Sequence, residues 1–276
     1  MLVLRTHDIS FYTIESIYST NKAKISILKY YLFLLVSGLL FSCTTEIEQD
    51  YFDTTSYYYP YHKLGSPKFY EYQIEHNGAQ FVSHYWEFQT IEEAGNVYLL
   101  CKRYNPQFEI DQSIKELILE DGVVTTAYDF HVKDTNSQQI VIYPNRVSQN
   151  IVFPFKASLD TLMAYRFVCE MKLPPDFLNA KLVRDRKFGQ PLKYQLFGDT
   201  LEAVSFVNTD LYDIQNVEEG GYWTVKKGLL EIYAKGIGLV YQEERTAGQE
   251  GVEITKLTAI YNSEEFQVLL NSENHE

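Results

Sequence analysis

From Phe69 onward the chain alternates apolar and polar residues with the period of a strand, and this alternation limits the folds open to it more than any other feature. Tyr70, Tyr72 and Ile74 alternate with Glu71, Gln73 and Glu75, and His84, Trp86 and Phe88 with Ser83, Tyr85 and Glu87. Successive side chains of a strand point to opposite faces, so each run predicts a half-buried strand. Asp121-Gly122 separates Ile114–Leu119 from Val123–Val132, a strong hairpin signal. Val97–Tyr104, Gln139–Tyr143, Gln149–Phe155, Leu192–Phe197, Ala203–Asn208, Trp223–Lys226, Leu229–Ala234, Leu239–Glu243 and Val252–Tyr261 read as further strands. Turns are expected at Gly220-Gly221, Lys227-Gly228 and Gly248–Gly251. The 23 Tyr and 17 Phe suit pleated, half-buried surfaces. Many short strands joined by turns predict an antiparallel, mainly β domain over 68–276. Ser158–Gln190 is ambiguous. Leu159, Leu162, Met163 and Phe167 fit one helical face, whereas Tyr165–Met171 also fits a strand. Pro174-Pro175-Asp176 opens a short helix through Asn179–Arg184, and Glu264–Leu270 is expected to form a terminal one.

The segment ahead of this domain says where the protein resides. Lys22, Lys24 and Lys29 precede an uncharged apolar run from Tyr30 to Phe41, which leads into Leu40-Phe41-Ser42-Cys43. A basic region, a short apolar region and a small residue before the cut compose a secretory signal. The tetrapeptide has the form of a bacterial lipobox, which predicts cleavage between Ser42 and Cys43 and acylation of the Cys43 thiol. The apolar run is shorter than the ~20 helical residues that cross a bilayer. Arg5, Asp8 and Glu15 interrupt Met1–Thr20, so the signal is expected to begin near Asn21, with a start downstream of Met1. Residues 1–42 are thus read as signal and 43–67 as a flexible acylated tether. The membrane, reached through the Cys43 lipid, is the first predicted partner, and the location is the outer membrane, facing periplasm or surface.

The net charge of −13 disfavours nucleic acid as a partner. After Cys43 only Cys101 and Cys169 remain, each in an apolar context that suits either a disulfide in an oxidising space or two buried thiols. The chain carries no phosphate loop, dinucleotide fingerprint or nucleophile elbow. No histidine stands at metal-ligand spacing from another His or Cys, so neither a metal nor a cofactor is expected. The doublets Glu92-Glu93, Glu218-Glu219, Glu243-Glu244 and Glu264-Glu265 put neighbouring carboxyls on opposite faces if they lie on strands. None is therefore itself a glycosidase pair. Trp86, Tyr222 and Trp223 are the aromatics best suited to face a ligand.

Tyr233-Ala234-Lys235-Gly236-Ile237-Gly238-Leu239-Val240, followed by a final strand ending in Tyr261, resembles a C-terminal pattern of Bacteroidetes-type cell-envelope lipoproteins. Tyr70-Glu71-Tyr72 and Phe153-Pro154-Phe155 are similar to two further features of that group. Where the group carries Val-Pro-Ala-Gly-Thr-Phe, this chain has Phe197-Gly198-Asp199-Thr200. The acidic stretch after Cys43 resembles the surface-export signals of such lipoproteins. The resemblance implies a curved antiparallel sheet or half-barrel, similar to lipoprotein carriers, whose concave face holds an apolar ligand; the mid-chain segment is expected to cover that face. A β-sandwich is the alternative. The expected function is that of a non-enzymatic binding or assembly lipoprotein, whose partner is an envelope protein or a lipid. The alternative is a surface glycan binder or glycan-active hydrolase.

Overall fold

The computed structural model describes residues 50–134, 137, 139–160, 162–174, 178–216 and 220–273. The expected signal segment, with Ser42 and Cys43, lies outside them. The fold is an antiparallel, mainly β architecture, as the alternation predicts. In chain order the strands are β1 (Tyr51–Asp53), β2 (Lys68–His76), β3 (Ala79–Glu93), β4 (Asn96–Tyr104), β5 (Ile110–Ile118), β6 (Gly122–Lys133), β7 (Ile140–Pro144) and β8 (Arg146–Pro154). There follow β9 (Lys156–Ser158), β10 (Tyr165–Leu173), β11 (Leu178–Leu196), β12 (Asp199–Asn216), β13 (Gly221–Ala234), β14 (Gly238–Thr246) and β15 (Glu253–Asn262). One helix, α1 (Ser263–Glu273), closes the described chain.

Thirteen strands form one sheet in the order β5-β4-β3-β2-β15-β14-β13-β12-β11-β10-β8-β6-β7, and β5 also pairs with β6. The expected curved sheet is thus present, and that last pairing joins its ends into a barrel. Curvature of this kind is introduced by bulges. One lies between Phe188 and Pro191 on β11, where a Cβ on Gly189 would stand 2.4 Å from Ser205 Oγ. The wall is thin at two places. β6 meets β8 through only Gly122↔Pro154, Val123↔Phe153 and Val124↔Ile151, and β14 meets β15 from Tyr241↔Lys256 to Glu244↔Glu253. The face opposite Tyr70 and Tyr72 carries Glu71, Gln73 and Glu75, with ion pairs such as Lys256–Glu75 and Arg166–Asp185. A barrel that spans a bilayer shows lipid an apolar band instead.

Four expectations change. Residues 51–64, read as flexible tether, are packed: Tyr57, Tyr58, Tyr61 and Leu64 are buried in the main core. The alternation reading found no period there because the segment forms two 3-10 turns, Thr55–Tyr57 and Tyr61–Lys63, rather than a strand. This N-terminal segment, not the mid-chain one, fills the concavity. Asn179–Arg184, expected as helix, is strand, since β11 pairs continuously with β10 and β12 there. Lys227-Gly228, expected as a turn, lies inside β13. The terminal helix and the Asp121-Gly122 hairpin stand where expected.

Candidate functional site

The barrel encloses a cavity of about 460 Å³. Its floor is the N-terminal plug. Tyr59 stacks on Phe88 at 4.0 Å and meets Tyr70 edge-on at 5.8 Å, while Tyr58 packs on Phe153 at 5.0 Å. The three segments that carry the family resemblance converge on this plug. The Tyr70 hydroxyl donates to the Ile237 carbonyl at 3.2 Å and the Tyr72 hydroxyl to that of Leu239 at 2.9 Å. Gly238, at φ +106°, admits the Tyr59 ring against its backbone. Thr54 donates its hydroxyl to the Pro154 carbonyl. These tyrosines bridge the place where β14 has parted from β15, so the motif residues build a socket for the plug.

Above the floor the walls are polar on one side and aromatic on the other. Alternation along β11 sends Leu182, Arg184 and Arg186 inward. Arg184 grips Asp210 through two bonds of 2.8 and 2.7 Å. Arg186 donates to Asn208 at 3.1 Å and Glu231 at 2.5 Å, and its guanidinium lies 5.4 Å over the Phe206 ring and 5.7 Å over that of Tyr233. Burial opposes ionisation of Glu231, but Arg186 and Arg184 outweigh it and hold its carboxyl below the ordinary range. Lys227 continues the row by donating to Glu244 at 2.6 Å. Opposite, burial pushes Glu116 above the usual carboxylate range, although Tyr58 donates its hydroxyl to it. His84 lines the cavity with its pKa lowered by burial and by Arg103; its Nδ1 is buried without a hydrogen-bond partner.

The predicted ligand-facing aromatics do not come together. Trp86 lines the cavity, with Arg103 5.9 Å over its ring. Tyr222 and Trp223 sit at the start of β13, paired with Gln215 and Ile214 and exposed. Cys101 and Cys169 are unbridged and buried in separate clusters. Burial raises both thiols, Cys169 to about 12 and Cys101 well above its ordinary value, so both are poor nucleophiles. Among the described residues no cluster of His, Cys, Asp and Glu could hold a metal ion. Sequence reading missed Arg184, Arg186, Asp210 and Glu231. Inward charges on strands broke the alternation only locally, and the Arg184-Asp185-Arg186 triplet, with its every-other-residue arginines, was the available signal.

No family model matches the chain, and no curated protein does. Two solved structures resemble it. One is described as a candidate lipoprotein from Parabacteroides distasonis ATCC 8503, with TM-score 0.48 and 12% identity over 75% of this chain and 99% of the other. The second, described as a candidate exported protein with a YmcC-like fold from Bacteroides fragilis NCTC 9343, has TM-score 0.42 and 10% identity over 71% of this chain and 95% of its own. Neither score reaches the level at which a common fold is established.

Proposed function

We propose that this protein is an outer-membrane lipoprotein, anchored through Cys43, that holds a small amphipathic molecule in its barrel without chemically changing it. The cavity of about 460 Å³ carries the reading, because ligand sites of small molecules fall in that size class. Its charged groups favour binding over catalysis. Arg184, Arg186, Asp210, Glu231 and Glu244 each already have a partner of opposite charge, whereas catalysis needs polar groups converging on a reacting atom. The half-buried Trp86 ring remains for a ligand to use. Half-buried Ile74 and Glu253, towards the far ends of their strands, mark where solvent reaches the lumen.

The test is purification of the tagged, lipidated protein from its own envelope, followed by identification of co-purifying lipids, small molecules and proteins. Retention of one small molecule by the wild type, and its loss in Thr255→Trp, which narrows the lumen, is the expected result. Recovery of no bound molecule, together with turnover of a polysaccharide, overturns the proposal in favour of a glycan-active protein.

A further inference from the structure

The plugged end of the barrel carries an apolar surface at the point where the tether joins. β1 and β9 form a two-stranded ribbon in which Tyr51 pairs with Ser158, and the Leu159 amide donates to the Asp50 carbonyl at 3.1 Å. The turn that follows is fixed by its own hydrogen bonds. The amides of Asp160 and Leu162 donate to Ser158 Oγ and Asp160 Oδ1 at 3.1 and 2.9 Å, and the Met163 amide to the Asp160 carbonyl at 3.0 Å. The Tyr165 hydroxyl ties the turn's base by donating to the Lys156 carbonyl at 2.8 Å. These bonds accompany Leu162 at 84% exposure and Met163 at 41%, near Tyr51 and Leu159, each at 50%. Leu119 and Phe197, in the β5–β6 and β11–β12 turns of the same end, are exposed as well. Exposed apolar residues gathered on one surface mark an interaction site.

From these features we infer that the plugged end lies against the lipid bilayer, with Tyr51, Leu159, Leu162 and Met163 entering its interface. The inference rests on the proposed acylation of Cys43. That residue stands seven positions before Asp50, and such a stretch spans at most about 25 Å when fully extended. The end that the chain enters is therefore held near the membrane, and it is the end with Leu162 in solvent. The acyl chains of a lipidated cysteine anchor the protein by themselves, and an apolar end of the barrel held beside them adds buried area in the interface. The far end, where solvent reaches the lumen, then points away from the lipid. The rival apolar groups are Ile140–Ile142, on the free edge of β7 in the far half of the barrel, and Tyr222 and Trp223 at the start of β13.

The full lipidated protein is reconstituted in phosphatidylethanolamine–phosphatidylglycerol vesicles containing acyl-brominated phosphatidylcholine, which quenches tryptophan at short range. Leu162→Trp and, as a second position, Tyr51→Trp are compared with Ile142→Trp and wild type. All three positions are exposed, so the core is untouched. The first two variants are expected to be quenched at least about twice as strongly as Ile142→Trp, as shallow interfacial insertion requires. Protein that carries its acyl chains and floats with the vesicles, yet shows no such excess at positions 51 and 162, overturns the apposition while leaving the anchor intact. Protein that neither carries acyl chains nor floats overturns the anchor and the apposition together.

Discussion

Gly238 shows how one residue fixes the plug. At φ +106° an L side chain is strained, and a Cβ there would stand 2.4 Å from the Tyr59 ring, which is held by Phe88 and Tyr70 and has nowhere to move. Gly236, in the same turn at φ +74°, faces open space. Gly238→Ala is therefore expected to cost about 2–4 kcal/mol and Gly236→Ala about 1 kcal/mol, measured by urea unfolding. Equal losses would show that the close approach to Tyr59 does not matter. Glu116 gives a pH signature. Burial raises its folded pKa above the ordinary 4.5, so the folded state keeps a proton that the unfolded chain releases. Its stabilising contribution is complete below pH 4.5 and is lost as pH rises through the folded value. Glu231 has the opposite sign, since its lowered pKa adds stability above its unfolded value and loses it as pH falls. Glu116→Gln cannot ionise, so subtracting its urea midpoints from those of the wild type isolates the Glu116 contribution. The difference is expected to turn against the wild type from pH 4.5 upward, and a flat difference would mean that Glu116 is not buried.

At the scale of elements, α1 is capped and then stapled to the outside of the barrel. Asn262 Oδ1 accepts the amides of Glu264 and Glu265 at 2.9 and 3.0 Å, and the Glu265 carboxylate accepts the Asn262 amide at 2.7 Å, a capping box. Phe266, 2% exposed, stacks on Phe69 at 3.9 Å and meets Tyr85 at 5.5 Å. Asn262→Ala should cost about 1 kcal/mol and Phe266→Ala about 3–5 kcal/mol, with rapid amide exchange across α1 in the second. A smaller loss for Phe266→Ala than for Asn262→Ala would mean that packing does not hold the helix. The helix was legible from Glu264–Leu270, and the strands from their alternation. Lys227-Gly228 was not, because a lysine and a glycine read as a turn while Lys227 in fact reaches Glu244 across the lumen wall. Nor was the plug: Tyr57, Tyr58 and Tyr61 have no local period, and their burial depends on partners such as Phe153 and Phe155, roughly a hundred positions later. The cavity followed the same rule, since its arginines acquire meaning only when β11, β12 and β13 lie side by side.

Over the whole molecule, the barrel is held unevenly. β11 and β12 are paired along nearly their full lengths, from Asn179↔Gln215 to Leu196↔Asp199, and β12 continues into β13 from Ala203↔Ala234 to Asn216↔Gly221. The Arg186–Glu231 and Arg184–Asp210 pairs cross this slab, and breaking either would leave a buried charge unpaired. By contrast, the β6–β8 contact is short, and β14 leaves β15 beyond Tyr241, where tyrosine hydroxyls replace the backbone ladder. Local opening follows the places with the fewest buried contacts and ladder bonds. Hydrogen exchange should therefore be slowest in the centres of β11, β12 and β13, fast at the free edge of β7, and faster at the two thin walls, Val123–Val124 and Tyr241–Glu244, than in that slab. If the lumen takes up a ligand through the end where Ile74 and Glu253 stand, saturating the protein with the co-purified molecule should slow exchange at Tyr241–Glu244 more than at Val123–Val124, because β14 and β15 line that end. Protection confined to Val123–Val124 would place entry at the other thin wall, beside the plug.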